Sequence, residues 1–320
     1  MKPLSILLAG LAICVATHSA QAKVQLKKSG TKVDITVDGE AFAVFNFGKD
    51  LPKPFMSPVR GPGGAVLTRE IFMEKGKGDH PHHKGIWVAV DQINKIEFWA
   101  EKGKIVNREV ALDVPYGDPA QMTVVNDWLG KDGKAIVTET TTIKIGANRL
   151  FAYDIRFKAA GPEPVEFGDT KEGLFGFRMV DSMRENEGGH VVNAEGEEGT
   201  KACWGRTTDW IDYTGKVEGK TFGVALFDHP LNFRRSRYHV RNYGLFSINP
   251  FGERAYTGGK RPAQFEYLLP GATSWVFIDG ATDAPGRLGG GPKLTVWRDK
   301  IYTGWSNSNG IDGPEKSQLY

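Results

Sequence analysis

Lys134-Ala135-Ile136-Val137-Thr138-Glu139-Thr140-Thr141-Thr142-Ile143-Lys144-Ile145 alternates with a period of two, so that Ala135, Val137, Glu139, Thr141, Ile143 and Ile145 share one face. β-Branched residues dominate the run, which makes it a half-buried strand and not a helix. Gly146-Ala147-Asn148 breaks the pattern, and residues 150–157 read as the antiparallel partner. Val33, Ile35 and Val37 repeat the alternation, and Asp38-Gly39 then turns the chain into residues 42–47, a hairpin signal with a stereochemical basis. Residues 105–112, 221–227, 264–269 and 274–278 are further strand candidates. No window of twelve residues carries an apolar stripe at helical spacing. The expectation is an all-β protein, a large antiparallel β-sandwich.

The ends of the chain read differently from its middle. Lys2, an apolar run from Leu4 to Val15 and Ala20-Gln21-Ala22 have the form of a signal peptide over residues 1–22, cleaved before Lys23. The expected destination is periplasmic or secreted. Residues 23–320 then form a single sandwich domain, with no transmembrane segment because no later stretch approaches ~18 apolar residues. Cys203 is the one cysteine after the leader, so no internal disulfide is expected. The 41 basic and 38 acidic residues nearly cancel, which argues against nucleic acid as a partner. Forty glycines suit many tight turns, the runs at 61–64 and 289–291 among them. The polar tail after Gly304 is expected to be loosely held.

Chemistry concentrates in Asp79-His80-Pro81-His82-His83-Lys84-Gly85. If this segment is extended, His80 and His82 point one way and His83 the other. Imidazoles at that spacing can ligate a metal ion or move protons beside a substrate hydroxyl. A hydrogen-bonded polar rim is the alternative. Asp-His-Pro recurs at Asp228-His229-Pro230, followed by Asn232 and by Arg237, His239, Arg241 and Tyr243 at alternate positions. Such a row suits a cleft for a hydroxylated or anionic ligand, or a solvated outer face. Glu172, in front of the apolar run that leads to Arg178, is a candidate base. Trp99, Trp204 and Trp210 can cover the C–H faces of a sugar, or serve the core.

The motif Asp79-His80-Pro81-His82-His83-Lys84-Gly85 with Trp87, Asn94 and Phe98-Trp99 resembles the bacterial family labelled methane oxygenase PmoA. The likeness continues through Asp169, Lys171-Glu172-Gly173, Trp204-Gly205, Trp210, Asp212-Tyr213 and Phe227-Asp228-His229-Pro230 to Asn249-Pro250-Phe251-Gly252. Lys84 stands where such proteins more often carry arginine, and the likeness fades after Gly280. The resemblance implies an exported protein related in architecture to galactose-mutarotase-like sandwiches. The label does not supply an activity, because particulate methane oxidation belongs to proteins with several spanning helices.

These readings combine into an exported carbohydrate-active enzyme, a lyase, hydrolase or epimerase acting on a sugar derivative such as a keto-sugar glycoside or a uronate. His80, His82, His83, Glu172, His229 and His239 are its candidate catalytic residues. Lys84, Trp99, Arg178, Trp204, Asn232, Arg241 and Tyr243 are its candidate substrate contacts. His80, His82 and His229 are candidate ligands for one divalent metal ion. A non-catalytic glycan-binding protein uses the same residues, and a structural envelope protein leaves the histidines unexplained.

Overall fold

The computed structural model describes residues 23–70 and 79–258, together with the strands Tyr267–Leu269, Ile278–Asp279, Pro292–Trp297 and Lys300–Trp305. The expected leader at 1–22, the glycine run 289–291, most of the strand candidates 264–269 and 274–278, and the tail beyond 305 lie outside the described residues. The chain is built mainly of strands in large antiparallel sheets arranged like a sandwich. Among the described residues the α-helices are the single turns Thr200–Cys203 and Glu253–Thr257. None is long and apolar enough to cross a membrane.

The alternating segment forms the strand Ala135–Ile145 and pairs with Phe151–Ala159 in unbroken register from Val137↔Ala159 to Ile145↔Phe151. Its other neighbour is Ala120–Leu129, where every second residue is buried; Ile105–Val114 completes a four-stranded sheet. The inward face of Ala135–Ile145 includes Glu139 and Thr141, both buried. Glu139 accepts hydrogen bonds from Asn126, Thr141 and the Trp128 indole. A carboxyl group inside a core is tolerable only when its oxygens are occupied in this way.

A nine-stranded sheet lies opposite. From one edge it runs Arg237–Arg241, Leu245–Asn249, Phe175–Arg178, Ile86–Val88, Phe55–Val59, Glu40–Asn46, Lys32–Val37, Val24–Ser29 and Tyr116–Gly117. The expected hairpin is there: Asp38 and Gly39 both have positive φ, 51° and 82°, as a two-residue turn of the primed type requires. Val33, Ile35 and Val37 from this sheet pack with Met122, Val124, Ile143 and Ile145 from the other in one apolar cluster. Each such side chain contributes about 1.5–3 kcal/mol by leaving water. A second cluster, around Trp87, Trp99, Phe98, Trp128 and Phe167, lies beneath the polar end of the sheet. The edge strand Arg237–Arg241 is covered: Gly205 donates to the Tyr238 carbonyl (2.8 Å), and the Tyr238 N–H donates to Arg206 (2.9 Å).

Candidate active site

Register places the polar residues of the large sheet on one face. His239 pairs with Ser247, Ser247 with Gly176 and Gly176 with Trp87, so these four form a row across consecutive strands. Two residues along, Arg241 pairs with Leu245 and Leu245 with Arg178, forming a second row on the same face. Gly176 is required where it stands, because a Cβ there would come within 2.8 Å of the Trp87 ring. The bare glycine lets the indole lie over the strand. Among the described residues the buried Ser247 hydroxyl and the Trp87 and Trp204 indole N–H groups have no hydrogen-bond partner.

The histidine segment is a turn and not an extended strand. His80 adopts a left-handed conformation (φ 46°), and the His83 N–H closes back onto the His80 carbonyl at 2.9 Å. Pro81 is pre-set for such a turn. The expectation that His83 points away from the other two is thereby corrected, since its ring lies 4.9 Å from His80 and 4.4 Å from His82. Trp87, His83, His80 and Tyr243 form a run of nearly parallel rings, with successive centroid spacings of 5.3, 4.9 and 4.8 Å. Arg178 lies over Tyr243, 4.8 Å from its centroid.

These histidines differ sharply in what they can do. His83 is buried; the Trp99 indole N–H donates to its Nε2 (3.3 Å), and Arg178 Nη1 faces its Nδ1 (3.2 Å). Both neighbours only donate, so a second ring proton would meet an opposing N–H. Burial, then the charges of His82 and Arg178, hold its pKa well below the ordinary histidine value. Burial and the charge of Lys53 take His82 down to about 3, which leaves it neutral and a poor proton carrier near pH 7. His80 is the exposed member, with Asp79 Oδ2 3.3 Å from its Nδ1. Among the described residues its Nε2 has no protein partner and is the nitrogen a ligand can reach.

Asp79 is itself fixed. It accepts from Arg178 Nη2 (2.9 Å) and Arg69 Nη1 (2.6 Å). Burial opposes its charge, yet Arg178 outweighs that effect and, with His80 and Arg69, holds the carboxyl at about 2. Arg178, with no exposed side-chain surface, therefore anchors the turn from below. Lys84 and Trp99 are likewise buried. Lys84 pairs with Glu101, and Glu101 also takes Lys53 Nζ at 2.6 Å. Burial, against the pull of Glu101, lowers Lys53 to about 7. Three expected substrate contacts, Lys84, Trp99 and Arg178, are thus buried supports of the turn, with the Lys84 ammonium, the Trp99 indole N–H and both terminal nitrogens of Arg178 bonded inside the protein.

A carboxyl group that the sequence did not single out lies next to Glu172. Asp91 follows the strand Ile86–Val88 and donates its backbone N–H to the carbonyl of Glu172 (3.0 Å). Burial, then the charges of Glu172 and Glu97, push the Asp91 carboxyl up to about 6. Glu172 is half-buried, and its charge also acts on Tyr243 and Tyr256. A carboxyl group raised in this way can hold a proton near neutral pH and give it up to a ligand.

The second Asp-His-Pro copy does other work. Asp228 is buried and accepts from Asn232 Nδ2, Arg235 Nε and the Ser236 N–H, holding its own loop together. His229 is exposed, and its Nδ1 accepts from the Leu231 N–H. Among the described residues no group of three or more His, Cys, Asp or Glu side chains is placed to hold a metal ion. The set His80, His82 and His229 is not assembled, because His229 belongs to the loop that Asp228 organises. Asn232 is committed to Asp228. His239 is buried: the Lys171 carbonyl lies 2.9 Å from its Nδ1, and Arg241 Nε donates to its Nε2 at 3.1 Å. Both nitrogens are occupied, so His239 positions Arg241 and does not exchange protons. Trp204 is half-buried, edge-on to His239 at 6.4 Å.

Fold and site together define a class: a β-sandwich protein whose large sheet carries polar residues at one end, among them exposed His80 and half-buried Asp91 and Glu172. The chain belongs to a family of unknown function, DUF6807, which it matches over residues 32–276. No curated protein matches it.

Proposed function

We propose that this protein is an exported carbohydrate-active enzyme that moves protons on a sugar derivative, as a lyase, hydrolase or epimerase. Asp91, with its carboxyl raised to about 6 beside Glu172, is the observation that carries this reading. In it Asp91 donates a proton, Glu172 accepts one, and His80, oriented by Asp79, hydrogen-bonds a hydroxyl through Nε2. Action outside the cytoplasm rests on the leader pattern at residues 1–22. Among the described residues no group of three side chains is placed to hold a divalent metal, and at this turn His80 and His82 are the histidines that would reach one.

The test is proton nuclear magnetic resonance of glycosides, keto-glycosides and uronates incubated with the protein in deuterated buffer. Wild type is expected to cleave one class or exchange its acidic carbon-bound proton, with the rate falling as pH rises through Asp91's value of about 6. Asp91→Asn and Glu172→Gln should each lower that rate by about 10²–10⁴-fold. Unchanged rates in both variants would defeat the assignment. Binding without chemical change would identify a glycan-binding protein that uses the same face.

A further inference from the structure

We infer that Arg241 is an anion anchor, and that the ligand of this cleft is an acidic sugar, one that carries a carboxylate or an ester oxyanion. The inference rests on the cleft proposed above and adds the chemical class of what it holds. Arg178, Arg184, Arg237 and Arg254, on the same part of the fold, pair with Asp79, Asp181, Glu253 and Asp169 respectively. Arg241 has no carboxylate within ion-pair distance among the described residues, although it is half-buried. Its Nε is spent on His239 Nε2, and the phenol of Tyr243 also takes a hydrogen bond from it.

His239 makes this pose a fixed one. With the Lys171 carbonyl on its Nδ1, the ring carries its proton there and presents a lone pair at Nε2. That lone pair accepts from Arg241 Nε, which leaves the terminal N–H groups of the guanidinium, apart from the one that Tyr243 takes, for an external partner. A guanidinium offers two parallel N–H groups that match a carboxylate. A partly desolvated cation without a counter-charge is unfavourable, and a bound anion removes that cost. Next to His239 in the same row, the buried Ser247 hydroxyl lacks a partner, and the Trp204 indole N–H, beside the His239 ring, lacks one too. These buried atoms show that the polar groups around His239 are not fully satisfied within the protein.

Isothermal titration with methyl glucuronide, glucose 6-sulfate and methyl glucoside, at low and high salt, tests this without reference to turnover. Wild type is expected to bind at least one acidic probe roughly tenfold or more tightly than the neutral glucoside, with the preference shrinking as salt rises. Arg241→Gln should erase the preference, and Arg241→Lys should keep only part of it. Whether the glucuronide or the sulfate wins identifies the source of the oxyanion. Equal affinity for acidic and neutral probes, including no binding by any, would overturn the proposal, as would a preference that survives Arg241→Gln. The salt response of wild type decides the matter if that variant fails to fold. An acidic preference without catalysis would overturn the enzymatic reading alone, and catalysis on neutral sugars alone would overturn only this one.

Discussion

Replacing Asp91 by Asn should make the protein more stable at pH 8, by an amount that depends on pH. Burial and the charges of Glu172 and Glu97 raise the carboxyl from 3.8 in the open chain to about 6 in the fold. The native state therefore holds this proton more tightly than the unfolded state does. The resulting stability is fully present below pH 3.8 and is lost as pH rises through about 6. The full shift corresponds to a ceiling of about 3 kcal/mol, and the partial exposure of the side chain reduces it to about 1–2 kcal/mol. Asparagine keeps the shape and discards the charge, so urea denaturation at pH 8 should show that gain. At pH 5, where the native carboxyl is already mostly protonated, the gain should fall by about half. A carbon-13 titration of the Asp91 carboxyl gives the midpoint directly. A stability difference of the same size at both pH values, or a destabilised variant at pH 8, would refute the argument that Asp91 is held against its charge. If the gain appears together with loss of turnover, the instability is one that activity requires.

Two further substitutions test the supports of the cleft. Glu101→Gln should cost about 3–5 kcal/mol near pH 6, since it strands the buried ammonium groups of Lys53 and Lys84. Lysines whose pKa values are depressed shed their protons as pH rises, so the loss should shrink towards pH 9, and a loss independent of pH in urea melts would count against the charge argument. Gly176→Ala should cost about 1–3 kcal/mol and alter the near-ultraviolet tryptophan signal, because the new methyl would meet the Trp87 ring at 2.8 Å. Gly161→Ala, where nothing lies within 4 Å, should be close to neutral, and equal losses in the two alanine variants would remove the special role given to Gly176.

Strand order two residues at a time was legible in the sequence, because a sheet with one face buried writes its periodicity into the chain. The face Ala135, Val137, Glu139, Thr141, Ile143 and Ile145 was found whole, Glu139 included, and so was the turn at Asp38-Gly39. The candidate site was legible only in part. The histidine cluster was visible, but alternation could not say that residues 80–83 form a turn, since one left-handed residue before Pro81 reverses the geometry. Lys84, Trp99 and Arg178 looked like ligand contacts because polarity and aromaticity are visible in a sequence and burial is not. Asp91 was missed for the converse reason: a lone aspartate after an apolar strand carries no local sign, and its significance comes from Glu172, brought to it across the sheet. The repeated Asp-His-Pro suggested one centre, but at the second copy the aspartate caps a loop through the side chain that the first copy uses to orient His80.

The covering of the edge strand Arg237–Arg241 bears on how this protein behaves in company. An uncovered strand beside a polar cleft would be a template on which another chain could add itself, and the cleft would be the seed of a polymer. Here the outward backbone groups of Tyr238 are taken by Gly205 and Arg206, and the strand begins and ends in arginine. At Tyr238, on this edge, another strand therefore finds no free backbone group to pair with. In a crowded compartment, at this position, admission is decided by side chains and not by the backbone.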